Sequence, residues 1–122
     1  MLGLVLTLAA IVRVRESLRT PPWFDEIYII MVARQGFLEV LRTVSLDIHP
    51  PLQFLLRWAW IRLGGDGEQW LRSLSILLAL LSLVWTWRLG RRLFGPFPAV
   101  FAVALLAVHP THVLYSLEIE DY

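Results

Sequence analysis

Nineteen residues from Leu71 to Leu89, charged only at Arg72 and Arg88 near the two ends, leave this chain few folds to choose from. As a helix they extend roughly 28 Å, close to the thickness of a hydrocarbon core of about 30 Å. The composition agrees. With 57% hydrophobic and 17% charged residues and a mean hydropathy of +0.64, a 122-residue chain holds more apolar surface than a soluble domain of its size can bury. A second apolar run, 98–115, opens with Pro98 at a helix start and carries no charge from Ala99 to Val108. Between the two runs lies an Arg-rich, acid-free connection, 90–97, which the positive-inside rule assigns to the cytoplasm. The pair reads as a transmembrane hairpin.

Residues 1–12 are apolar but short for a span of roughly 17 to 25 residues, and two readings stay open: a short or truncated first span, or a signal peptide ending near Leu8-Ala9-Ala10. Arg13, Arg15 and Arg19 follow and oppose the positive-inside tendency if they are external. Residues 13–70 are expected to form an external loop with interfacial helices. Ile27, Ile30 and Met31 fall on one helical stripe, and Leu38, Leu41 and Val44 on another. Asp47-Ile48-His49-Pro50-Pro51 interrupts regular structure. Leu52 to Leu63 is a short apolar helix with Trp58 and Trp60 suited to the headgroup layer, and Gly64-Gly65-Asp66-Gly67 turns into the long span. Residues 116–122 form an external tail. The chain has no cysteine, which removes disulfides and thiolate metal sites. Its basic residues are all Arg, scattered between apolar runs, so no nucleic acid is expected as a partner.

Two crossings separate residues 13–70 from the tail, so both face the same side whichever way the chain inserts. Asp25, Glu26, Asp47, His49 and Glu118 are therefore able to converge.

Trp-Phe-Asp-Glu at 23–26, Asp-x-His-Pro-Pro-Leu at 47–52, Glu-Gln-Trp-Leu-Arg-Ser at 68–73, Gly-Arg-Arg-Leu-Phe-Gly at 90–95 and Tyr-Ser-x-Glu at 115–118 come in a specific order. That order resembles the start of GT-C glycosyltransferases of the protein-mannosyltransferase and aminoarabinose-transferase type. The resemblance implies an all-α integral membrane fold, with this chain matching an N-terminal part of about three transmembrane helices. It also implies an enzyme of the cell membrane that moves a sugar from a polyprenyl-phosphate donor to a lipid, glycan or protein acceptor on the extracytoplasmic face. Such enzymes have about a dozen helices, so the isolated chain is expected to be an inactive fragment.

By the same resemblance Asp25 is the essential first-loop carboxylate, placed to accept or orient the acceptor's proton, with Glu118 as a supporting carboxylate. Glu26, Asp47, His49, Arg72 and Tyr122 are expected to bind substrate, Arg72 and His49 by holding the leaving phosphate. The tail departs from the family pattern. Where relatives often read Tyr-Ser-Gln-Glu-Ala-Arg-x-Tyr, Tyr115-Ser116-Leu117-Glu118-Ile119-Glu120-Asp121-Tyr122 keeps Glu118 and Tyr122 but has Leu117 for the Gln and Glu120, beside Asp121, for the Arg. That exchange either alters phosphate handling or offers oxygen ligands to a divalent cation. His109 and His112 fit a helix-end role better than a metal site because Pro110 interrupts their face. Trp85 and Trp87 beside Arg88 read as an aromatic belt. The alternatives are a non-enzymatic transport or assembly subunit, which would carry ionisable groups at mid-helix, and a metal-dependent hydrolase, whose His-Glu-x-x-His motif is absent.

Overall fold

The computed structural model describes residues 1–21, 24–46 and 51–119, without the side chain of Asp25. Among these residues all regular structure is helical: α1 (Leu2–Ser17), α2 (Phe24–Ala33), α3 (Phe37–Ser45), α4 (Pro51–Gly64), α5 (Glu68–Phe94), α6 (Pro96–Val108) and α7 (Pro110–Tyr115). Packing divides the chain into two compact units, one of residues 1–20 and 75–117, the other of residues 21–74 and 118–122. The first turns of α5 belong to the second unit and its remainder to the first.

In the first unit α1 packs against α6, and Ala9, Leu83, Val103 and Ala107 form the buried centre. Among the described residues α5 is the one helix long and apolar enough to cross a membrane, and α6 is a shorter apolar helix. The long helix exceeds the expected 71–89 at both ends: its 27 residues extend about 40 Å. A glycine at Gly95, with φ of 90°, makes the turn between α5 and α6 in a conformation that a side chain would strain.

Two expected boundaries differ from the structure. The run 98–115 is not one helix, because Pro110 has no N–H to give Leu106 and holds His109 extended at φ −64°, ψ 126°. The His109 N–H bonds Leu106 O instead, at 3.2 Å. The first helix does not stop at Val12 but continues through Arg13 and Arg15. Arg13 stays inside because it is fully buried and bonded: its Nη1 donates to Ala9 O at 3.0 Å and to Ala107 O at 3.2 Å, close to the break in α6.

In the second unit α2 and α3 pack on α4. The core holds Ile29, Val32 and Ala33 from α2, Val40 and Val44 from α3, Phe54 and Ile61 from α4, Leu71 from α5 and Ile119 from the tail. Ile27 and Met31 are exposed on α2, as are Leu38 and Leu41 on α3. Where apolar residues surround a helix, as on α2, or occupy its outer face, as on α3, hydrophobicity stops marking the core-facing side.

Candidate functional site

Of the acids that the sequence singled out, the described side chains are those of Glu26 and Glu118, and both belong to the second unit. Glu26 lies in the first turn of α2, beside Asp25, and its carboxylate is buried. One oxygen accepts the backbone N–H of Ile119 at 2.7 Å, and the other accepts Arg72 Nη2 at 3.3 Å. Arg72 Nε in turn donates to Glu68 Oε1 at 3.1 Å, an i, i+4 pair along α5. A guanidinium with only 1% of its side chain exposed is thus held between two carboxylates, one buried with it and one partly exposed. Charge-assisted bonds of this kind are the strong ones, and removing one partner of a buried pair costs about 3–5 kcal/mol.

The consequence is positional. Glu26 ties the start of α2, the start of α5 and the residue after Glu118 into one hydrogen-bonded group. Glu118, half-buried, stands next to the Ile119 amide that Glu26 binds. Asp25 lies on α2 next to Glu26, so the backbones of the early and late acidic segments belong to one compact unit. Arg72, expected to hold phosphate, is buried, and its Nε and Nη2 donate to Glu68 and Glu26. The side chain of Asp25, and Asp47, His49, Glu120, Asp121 and Tyr122 altogether, lie outside the described residues. The divalent-cation expectation rested on Glu120 and Asp121. Among the described residues no three of Asp, Glu, His or Cys converge.

Further contacts join α4 to the first turns of α5. Trp60 on α4 and Trp70 on α5 stack at 5.0 Å with their planes 13° apart. Each indole N–H donates to the other residue's carbonyl, Trp60 Nε1 to Trp70 O at 2.9 Å and Trp70 Nε1 to Trp60 O at 2.8 Å. Gly64 is required beneath them, because a Cβ there would collide with the Trp70 ring. Buried Arg57 adds a bond from Nη1 to Leu71 O at 2.6 Å, one residue before Arg72. Trp60, expected in the headgroup layer, therefore joins helices. Glu68, Trp70 and Arg57 were not among the expected site residues, although the Glu68–Arg72 spacing and two Trp flanking a Gly-rich turn are visible in the sequence.

In the first unit His112 occupies the helix-end position expected of it. Its Nδ1 lies 2.7 Å from Arg13 Nη2 and its Nε2 3.1 Å from Ser82 Oγ. A guanidinium only donates, so Nδ1 is the acceptor and Nε2 carries the proton toward Ser82. The Ser82 hydroxyl passes its own proton to Ala79 O at 2.7 Å. His109 caps α7 through its backbone.

Residues 48–121 match the family of dolichyl-phosphate-mannose-protein mannosyltransferases. The chain belongs to that family. Membership makes it a membrane-embedded glycosyltransferase of the mannosyltransferase type, within the GT-C class. The matched region includes Arg72, Glu118 and Ile119 and begins after Asp25 and Glu26. No curated protein and no solved structure matches the chain.

Proposed function

We propose that this chain contributes the acceptor-side acidic site of a polytopic glycosyltransferase, which moves a sugar from a polyprenyl-phosphate donor to a hydroxyl acceptor on the extracytoplasmic face. Asp25 is the base: its carboxylate takes the proton of the acceptor hydroxyl while the oxygen attacks the anomeric carbon. The bond from that carbon to the donor phosphate breaks, and the lipid phosphate leaves with the electron pair. Glu118 supports from the tail, and Asp47, His49 and Tyr122 contact the substrates. Glu26 and Arg72 serve as positioning residues, because their charges are already spent on each other and on fixing the tail.

The observation that carries this reading is the bond from the Ile119 amide to Glu26, which fastens the segment after the last helix to the helix that bears Asp25. A non-enzymatic transport subunit would line a pathway with ionisable groups, but the buried cation Arg13 donates to helix carbonyls and His112. The test is sugar transfer from a polyprenyl-phosphate donor by the complete gene product carrying Asp25→Asn. Turnover is expected to fall by roughly 10²–10⁴-fold, the usual contribution of a general base. Wild-type turnover in a folded variant removes Asp25 from the mechanism. If an impermeant thiol reagent on intact cells labels a cysteine at one of positions 25 and 118 while the other reacts only after permeabilisation, the shared site is removed altogether.

A further inference from the structure

Two adjoining grooves lie in the first unit, around the turn between α5 and α6. One, of about 1260 Å³, is apolar and bounded by Val5 of α1, Phe97, Phe101 and Ala104 of α6, and Trp87 and Arg91 of α5. The other, of about 900 Å³, shares Trp87 and Arg91 and adds Trp85, Arg88 and Arg92. The two therefore meet at one indole and one guanidinium. Arg91 lies 5.2 Å from the Trp87 ring and Arg88 lies 5.3 Å from the Trp85 ring, so two of the three cations rest on aromatic faces.

The charge around them is of one sign. No Asp or Glu occurs between Glu68 and Glu118, and among the described residues no carboxylate pairs with Arg88, Arg91 or Arg92. All three are exposed. An apolar channel that opens onto three uncompensated guanidiniums is complementary to one kind of molecule: an acyl chain that ends in a phosphate. Arg holds phosphate through paired donors, and indoles sit at the depth where headgroup meets acyl chain.

We propose that this pair of grooves binds an anionic glycerophospholipid from the leaflet that meets the turn 90–97, with an acyl chain along Val5, Phe101 and Ala104 and its phosphate among Arg88, Arg91 and Arg92. The site is separate from the acidic one and does not depend on glycosyl transfer, so either assignment can fail without the other.

The experiment uses the chain in phosphatidylcholine vesicles carrying a low mole fraction of acyl-brominated phosphatidylglycerol or, in parallel, acyl-brominated phosphatidylcholine, and reads quenching of Trp85 and Trp87 as the loss relative to a Trp85→Phe, Trp87→Phe chain. Brominated phosphatidylglycerol is expected to act at roughly fivefold lower mole fraction, the effect of about one cation near an anionic surface. Arg88→Gln, Arg91→Gln and Arg92→Gln together should abolish that preference, and the corresponding Lys variants should keep most of it. Ala104→Phe should block the chain and reduce quenching of Trp87 while the Arg residues are intact. Equal quenching by the two lipids, or a preference that survives the Gln variants, overturns the proposal. So does quenching that ignores Ala104→Phe, which would place the phosphate at the surface with no chain in the groove. Complete displacement of phosphatidylglycerol by an equimolar isoprenyl phosphate would show that the occupant is the wrong lipid class.

Discussion

Arg72 in the second unit and Arg13 in the first are both buried, and they find their partners by different means. In the second unit Arg72 is neutralised by Glu26 and Glu68. In the first unit Arg13 meets no acid among its bonded partners: it donates to two helix carbonyls and to His112. The contrast follows from what each region has to hold in place. A carbonyl beside a helix break, Ala107 O, another within α1, Ala9 O, and an imidazole nitrogen accept hydrogen bonds without adding formal charge, which suits an apolar bundle. A paired carboxylate adds direction, and Glu26 uses its second oxygen to hold a backbone amide of the tail. One arginine thus bonds a carbonyl beside a helix break, and the other joins the carboxylates of Glu26 and Glu68.

The largest effect is expected where charge is buried as a pair. Glu26→Ala removes the buried carboxylate that pairs with Arg72 and accepts the Ile119 amide, and should destabilise the second unit by about 3–5 kcal/mol in a chemical unfolding series. If the loss is far smaller, Arg72 and Glu26 are not coupled. Next comes the uncharged solution. Arg13→Ala should cost about 1–3 kcal/mol, by orphaning Ala107 O and His112 Nδ1, and Arg13→Lys should restore little because a single ammonium lacks the fork. An Arg13→Ala loss equal to that of Glu26→Ala would erase the distinction between the two sites. Gly64→Ala should cost about 1–3 kcal/mol through collision with Trp70, accompanied by loss of the near-ultraviolet dichroism of the stacked Trp60–Trp70 pair. Retention of that signal at full stability would show that the clamp yields easily. The smallest change is Ser82→Ala, about 0.5–1.5 kcal/mol from one hydrogen bond to His112, confined to amide exchange in the first unit.

Much of this architecture was legible in the sequence, and the exceptions share a cause. The long helix and the Gly-rich turn follow from length, apolar content and backbone chemistry, which do not depend on surroundings. The core-facing sides of α2 and α3 do depend on them. Ile27, Met31, Leu38 and Leu41 are as apolar as the buried Ile29, Val32, Val40 and Val44, and an interfacial environment does not penalise apolar side chains on the outside. The backbones of residues 25–26 and 118–119 share one compact unit, a placement compatible with the expected parity of crossings. The role of Glu26 was not foreseeable, because nothing local announces that a carboxylate will find an amide 93 positions away. Arg72 was ambiguous for the same reason, since a charge at a helix end has the same sequence signature whether it seeks headgroups or a buried partner.

The decisive measurement is hydrogen exchange at the Ile119 amide, followed by NMR in the ¹⁵N-labelled chain and in its Glu26→Ala variant. A bond to a buried carboxylate predicts a slowly exchanging Ile119 N–H in the wild-type chain and fast exchange in the variant, with the amides at the centre of α5 protected in both. Fast exchange at Ile119 in the wild-type chain would mean that the tail is not fastened to α2, and the shared acidic site would have no structural basis.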